Sequence, residues 1–582
     1  MKINRWRIVC LKGAEGSIEN LYDGFKQLFL KSGLTQGKKT LFFDAKKHKK
    51  SDSLFTHYGF SFSIEKNLNN ETYLLVSPKQ VITPDGKTYD VEFVKQSHHR
   101  LSKKTDPFKY GQRCQKLREF DVAFANGQTH VFEKGFEFQL ELDESKLDIR
   151  YIQEPEVDFG SGKYHSWPAA GLKRYFPLAY NLGLSSHPQK IRVLLIGKKD
   201  CFSLLKKLVH GGGRGNYPFP GFSKIYQCEL EMGQDRFVEL LDSEISTVTS
   251  SNEIVDLLLQ KAVAKKNNAI DFDVCLIELV DEWSKFFINQ PIDLHDSIKV
   301  AFYQRNICTQ IFNKNSLSAV DGSENLFEHL SLGIYYKAGG NPWKLKNSWT
   351  NTSYIGVSFG ISRDKTQKLI GIAEIFDSYG QYLSQRSISI KEINLSEKVR
   401  SKDLHLTAKQ FTMLTTALLN DYKQTNDNNY PSNLVVHKTS DFNDNEQNLL
   451  KSFKDYPIDF SLVYIQTDHP YHIITEDNIE PTRGLYWRKS DNESFLYSSG
   501  SSAGKYYLPN APIPLYVNLI YSSNFSIDQI TDQIIGLTKL NFNSTNTYSK
   551  EPVTLIHSRK IVDLLRAGLS TQNIPEDPRF YL

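Results

Sequence analysis

Hydrophobic and polar positions divide the chain into regions of different rhythm. From about residue 188, unbroken apolar runs alternate with helical stretches. "KIRVLLIG" and "FDVCLIELV" have the continuous apolar character of buried parallel strands. "KDCFSLLKKLVHGG" and "SNEIVDLLLQKAVAKK" carry a helical period between them. The stretch "DLHDSIKVAFYQRNICTQIF" (293–312) predicts an amphipathic helix running into a turn. Leu294, Ile298 and Ala301 supply its inner face, and His295 and Lys299 stand one turn apart on one edge. Alternating strands and helices predict a Rossmann-like α/β domain over roughly 188–335. After Trp349 the order changes: three strands ("SYIGVSFGISR", "KLIGIAEIFD", "QYLSQRSISIKEI"), helix "TAKQFTMLTTALLNDYK", strand "NLVVHKTS", helix "NEQNLLKSFKDY" and strand "FSLVYIQTD". That is the element order of an RNase H-like fold.

Residues 1–150 mix short strand-like runs ("TYLLVS", "YDVEFV", "FEFQLEL") with the hairpin signal "TPDGKTYD", which predicts an α+β region with antiparallel sheet. The turn-rich "EPEVDFGSGKYHSWPAAGL" reads as a linker. The glycine run "HGGGRG" (210–215) follows a helix and not a strand, so it reads as a connection and not as a dinucleotide loop.

Composition adds limits. A chain of 582 residues exceeds what one core supports, so several domains are expected. Hydrophobic content of 40% and charged content of 24% are those of a folded globular protein. A net charge of +5 is too mild to announce nucleic-acid binding by itself, and the lysine clusters at 45–52 and 100–113 read as solvated loops. The six cysteines form no CxxC pair, which gives no support for a zinc ribbon or redox dithiol. No signal peptide or bilayer-length apolar run is present, so a cytoplasmic location without membrane insertion is expected.

The candidate chemistry begins with His295, Lys299, Gln310 just past the turn, and Lys337, which follows a strand-like "GIYY" and precedes "AGG". Brought together, these groups offer cations and amide donors but no nucleophile or general-base pair. That is an anion site, and a terminal phosphate is the natural fit. The RNase H-like half points the same way. That fold cuts nucleic acid with metal ions held by carboxylates. The expected strand positions hold Ser358 and Thr439, neither of which replaces an ionised carboxylate. Asp364 and Asp441 lie displaced from those positions, and Glu374 reads as a strand residue facing solvent. The scaffold is expected to hold nucleic acid and not to cut it.

From about residue 150 onward the chain resembles the MID and PIWI domains of prokaryotic Argonautes, especially short, slicer-inactive ones. The resemblance rests on "EPEVDFGSG…AAGL", "DLHDSIK…ICTQIF", "LGIYYKAGGNPWKL", "YIGVSFGISRD", "VVHKTSDFNDNE", "PTRGLYW", "FLYSSG", "LTKLNFN" and "PVTLIHSRKIVDLL", in order and at family spacing. It implies a linker over 151–187, a Rossmann-like MID domain over 188–345 and an RNase H-like PIWI domain over 346–582; residues 1–150 depart from the family pattern, being too few for N and PAZ domains together, and read as a partial N/linker-like α+β domain without PAZ. It implies that His295, Lys299, Gln310 and Lys337 bind a guide 5′-phosphate, with His295 stacking on the first base and adding charge if protonated. It implies a divalent cation (Mg) at that phosphate, held by Gln310 and the C-terminal carboxylate of Leu582. Arg483, Lys505, Lys539 and His557 are the implied contacts to nucleic-acid backbone. The partners implied are a short guide RNA (or DNA), a complementary DNA (or RNA) target, and a separate effector protein, whether nuclease, NADase or membrane effector. Two other readings stay open: a guide-directed endonuclease using displaced carboxylates, and a non-guided nucleic-acid-binding scaffold.

Overall fold

The computed structural model describes residues 2–12, 17–36, 40–43, 48–51, 54–66, 71–83, 110–132, 136–143, 147–212, 219–286, 294–313, 323–346, 349, 351–362, 367–377, 379, 382–391, 404–444, 446, 456–467, 469, 471–474, 480–499, 513–542, 549–570 and 577–581. The expected strand "YDVEFV", most of the hairpin "TPDGKTYD", most of the helix "NEQNLLKSFKDY", Asp364, Lys505 and Leu582 lie outside the described residues.

Two compact units emerge. The first takes in Met1–Ile152 with Thr467–Ser490 and Ser494–Tyr516. Its antiparallel sheet runs in the order Thr35–Gln36, Leu41–Phe43, Leu54–Lys66, Thr72–Thr83, Arg5–Lys12, Phe136–Leu142, Thr129–Phe132. The helix Ile18–Lys31 forms because Ser17 caps the backbone N–H of Asn20, and Leu21, Phe25 and Phe29 recur at i, i+4, i+8 to bury one stripe. With the helix Tyr110–Phe124 these rings build a phenylalanine-rich core that includes Phe42, Phe62, Phe120 and Phe138. The α+β reading holds, although these two helices were not anticipated from local pattern. The later segments join this unit through backbone pairing across hundreds of residues. The Asn4 N–H donates to the His472 carbonyl at 3.1 Å, and Asp148–Tyr151 pairs with Leu485–Arg488. Local sequence patterns carry no trace of such pairings.

The second unit takes in Gln153–Gln466, Asp491–Glu493 and Val517–Leu582. Its Rossmann-like part has parallel strands in the order Glu229–Glu231, Lys190–Gly197, Val274–Glu278, Thr309–Phe312. The strand Phe237–Glu239 also lies along Lys190–Gly197. The RNase H-like part orders its strands Leu515–Ser522, Asp459–Gln466, Asn433–Lys438, Thr352–Ile361, Gln367–Phe376, Tyr382–Lys391. Thr352–Ile361 runs parallel to Asn433–Lys438 and antiparallel to Gln367–Phe376. The helix Val553–Arg566 lies on this sheet. Gly356 permits the close approach, because a Cβ there would stand 2.1 Å from the Thr554 carbonyl oxygen.

One expectation changes. "GIYY" belongs to the helix Ser323–Lys337 and not to a strand. Its aromatic and β-branched residues suggest a strand, but Phe327, Leu330, Ile334 and Tyr335 are buried on a helix enclosed by protein. The segment read as a linker is packed: Val157 and Phe159 are fully buried, and Val157–Asp158 pairs with both Tyr164–His165 and Lys344–Leu345.

Candidate anion-binding site

The helix Leu294–Tyr303 buries Leu294, Ile298 and Phe302 in the Rossmann-like core, as its spacing predicts. Asn306, in the left-handed region at φ 54°, turns the chain after the helix and sends it into the strand Thr309–Phe312. That strand carries Gln310, whose side chain meets Lys337. Lys337 is the last residue of its helix, and Gly339 at φ 100° reverses the chain directly after it.

Lys337 is buried and donates to the Thr309 carbonyl at 2.8 Å and to Gln310 Oε1 at 2.5 Å. Both acceptors are neutral. Burial pushes its pKa down to about 7; Cys308 opposes the shift, and the neighbouring Lys560 ammonium adds to it. Lys299 is equally buried and donates to the Tyr581 carbonyl at 2.8 Å. His295 keeps 31% of its side chain exposed, and its Nδ1 lies 3.2 Å from Asp296 Oδ1. Desolvation, reinforced by Lys299, still holds the imidazole below its ordinary pKa and outweighs the Asp296 contact. In this structure the His295 ring is held toward its neutral form.

The residues that local reading missed are Asp296 and Lys560. Lys560, on the helix Val553–Arg566, places its Nζ 4.0 Å from Asp296 Oδ1 and acts electrostatically on His295, Asp296 and Lys337. Burial alone would raise the Asp296 carboxyl, but the His295 hydrogen bond and Lys560 hold it below the usual range. Lys560 lies within the "PVTLIHSRKIVDLL" stretch, but only the packing of that helix shows that it faces the lysine pair. Among the described residues Lys299, Lys337 and Lys560 stand with the Asp296 carboxylate here, a positive balance of the kind a phosphate requires. A cleft of about 770 Å³ opens beside it, lined among others by Tyr336, Gly339, Phe376, Phe542, His557 and Arg579.

Gly333, one turn before Lys337, supports the arrangement sterically. A Cβ there would stand 2.7 Å from Gln310 Oε1 and displace the amide from Lys337. Gly333→Ala is expected to leave the melting temperature nearly unchanged, since alanine gains up to about 1 kcal/mol in helix propensity. Binding of a 5′-phosphorylated oligonucleotide, measured by fluorescence anisotropy, is expected to weaken roughly tenfold.

The other implied residues fare differently. Gln310 Oε1, the atom that would ligate a divalent ion, accepts from the Lys337 ammonium, a cation that disfavours a metal ion beside it. Leu582, the second implied ligand, lies outside the described residues, so no role is derived for an ion here. Arg483 is buried with its guanidinium on the Ser498 carbonyl, which places it in the interior and not at a phosphate track. Lys539 is buried too. It donates to the Pro155 and Ser166 carbonyls and pairs with Glu154 at 2.7 Å, so its three N–H groups fasten the 153–187 segment. His557 is buried, its ring edge-on to Phe376 and Tyr581 at 5.5 and 5.8 Å. Lys505 lies outside the described residues.

On the RNase H-like sheet, Ser358 and Thr439 are neighbours: the Thr439 N–H donates to the Val357 carbonyl at 3.1 Å. The buried Ser358 hydroxyl is hydrogen-bonded to that of Ser558 at 2.7 Å. Asp441 is exposed, and its Oδ1 accepts from the Phe442 N–H at 2.8 Å. Next to it, Lys438 and Glu446 form a fully buried ion pair at 2.6 and 2.7 Å. Among the described residues no group of three or more His, Cys, Asp or Glu side chains could hold a metal ion. No described helix is long and apolar enough to cross a membrane.

A Rossmann-like domain carried in one unit with an RNase H-like sheet is the MID–PIWI type of fold seen in solved Argonaute and Piwi structures. Solved structures of that class superpose on nearly the whole chain. Clostridium butyricum Argonaute bound to a guide DNA and a 19-mer target DNA matches with a TM-score of 0.63 and 12% identity, over 98% of this chain and 97% of that one. Marinitoga piezophila Argonaute in complex with 5′ OH guide RNA gives 0.60 and 14%, over 97% and 87%. Drosophila Piwi gives 0.62 and 12%, over 98% and 87%. At such identities the likeness is one of fold. No protein-family model and no curated protein matches the chain.

Proposed function

We propose that this protein loads a short 5′-phosphorylated guide, RNA in the first instance, and uses it to find complementary nucleic acid, most naturally DNA, without cutting it. The observation that carries the reading is the cluster of the buried Lys299 and Lys337 with Lys560, which acts on Asp296 together with Lys299 and also on Lys337. Base pairing then reads the sequence, while the protein holds the guide end and the helical shape. The solved structures of this fold include complexes with guide and target strands, which agrees with that use. The absence of cutting is argued from Ser358 and Thr439, which stand where carboxylates would have to hold catalytic ions. A sensor of this kind needs an output. Target binding is therefore proposed to activate a separate effector protein, in defence against plasmid or phage nucleic acid.

Protein purified from its native host is expected to carry short nucleic acid that is labelled by kinase only after phosphatase treatment. The Lys299→Ala/Lys337→Ala double variant should carry less than about a tenth as much, two buried charge-assisted contacts having been removed. Equal recovery from the double variant would sink the reading. Cleavage of a guide-matched target by the lone chain in Mg²⁺ or Mn²⁺ would overturn its non-cutting part.

A further inference from the structure

Residues 578–581 pack against one side of the lysine cluster. Tyr581 is fully buried, and its ring packs with Val300, Ile561, Leu564, Leu565 and Leu569. Val300 follows Lys299 on the His295 helix, and the other four lie on or just beyond the helix that carries Lys560. The ring therefore wedges between the two helices that bring these lysines together. Its hydroxyl has no hydrogen-bond partner among the described residues, so shape and apolar burial hold it and not a polar contact. With the ring fixed, the Tyr581 carbonyl receives the Lys299 ammonium at 2.8 Å. Neighbouring residues reinforce the placement. Phe580 packs edge-on against Tyr303 at 5.3 Å, and Gly339 leaves room for the Arg579 guanidinium, whose Nη1 would lie 2.9 Å from a Cβ. The turn 578–581 thus touches both helices that carry buried lysines.

We infer that Tyr581 is the positioning residue for Lys299, and that through it the C-terminal turn sets how strongly the site prefers a phosphorylated ligand end. The inference rests on the guide reading above and adds a residue outside the anion-contacting set. A buried lysine is long and has many rotamers; a fixed carbonyl selects the one that faces the anion, so less ordering remains to be done on binding.

The test compares the full-length protein's affinities for one oligonucleotide carrying either a 5′-phosphate or a 5′-hydroxyl, measured by anisotropy. Tyr581→Ala is expected to reduce the preference for phosphate about tenfold or more while changing 5′-hydroxyl affinity less than about twofold. Tyr581→Phe should restore the preference, because the hydroxyl has no part in the placement. In a Lys299→Met background Tyr581→Ala should remove nothing further, since its action runs through that lysine. An intact preference in Tyr581→Ala, or an equal further loss in the Lys299→Met background, would overturn the inference. If the wild-type protein has no phosphate preference, the guide reading falls instead. Thermal unfolding then decides the Tyr581–Lys299 link: non-additive melting shifts support it, and additive shifts overturn it.

Discussion

Lys337→Met is expected to bind a 5′-phosphorylated oligonucleotide about 100-fold more weakly than the wild type, or ~2.7 kcal/mol, yet to melt at the same or a higher temperature. The two outcomes share one cause. Lys337 is buried against the Thr309 carbonyl and the Gln310 amide oxygen, with no carboxylate among its hydrogen-bond partners in the described residues. In the empty site its charge is unfavourable, which is why its pKa falls to about 7. Methionine fills similar volume without that charge penalty, and this relief offsets the loss of the hydrogen bonds to the Thr309 carbonyl and Gln310 Oε1. A bound phosphate reverses the balance by supplying the missing negative charge. A parallel loss of melting temperature and affinity would mark Lys337 as a structural residue instead.

The same lysine gives the pH dependence a definite sign. Between pH 7 and its ordinary value near 10.5, the unfolded chain keeps a proton that the folded chain has released. In that window Lys337 makes the folded state more stable as pH rises. Binding moves the other way: above pH 7 the site must take up a proton to meet a phosphate, so affinity should fall as pH increases. Titrations at pH 6.5, 7.5 and 8.5 should show that slope in the wild type and its loss in Lys337→Met.

The second large effect lies on the RNase H-like sheet. Glu446→Gln is expected to destabilise the protein by about 3–5 kcal/mol, read as a lower denaturant midpoint for its unit. Both partners of the Lys438–Glu446 pair are wholly enclosed. The Glu446 carboxylate also accepts from the N–H groups of Leu406 at 2.8 Å and Asn443 at 2.9 Å, tying the 404–406 segment to the loop after the Lys438 strand. Lys438 further donates to the Asp441 carbonyl at 2.8 Å and lies over the Phe442 ring at 4.7 Å. Removing the carboxylate charge leaves a buried ammonium uncompensated. A midpoint within about 1 kcal/mol of wild type would mean that the pair opens to water easily.

Much of the second unit was legible in the sequence because its signals are local. Runs such as "KIRVLLIG" and "NLVVHK" mark strands buried on both faces, and the four-residue step from Leu294 to Ile298 fixes which edge of that helix presents His295 and Lys299. "GIYY" was misread because β-propensity reports surroundings more than backbone, and here the surroundings are helical. The first unit's later segments could not be read, since pairing between residues 4 and 472 leaves no periodic mark.

By itself the sequence determined the class of each domain, the edge that carries His295 and Lys299, and the lack of carboxylates at 358 and 439. These follow from side-chain period and residue type, which are properties of short stretches. Only the tertiary structure decided that Lys560 meets Asp296, that Lys299 reaches the Tyr581 carbonyl, that Gln310 turns its oxygen to Lys337, and that Arg483 and Lys539 are interior fastenings. Those outcomes depend on which groups meet across the fold, and on how far burial shifts their charge.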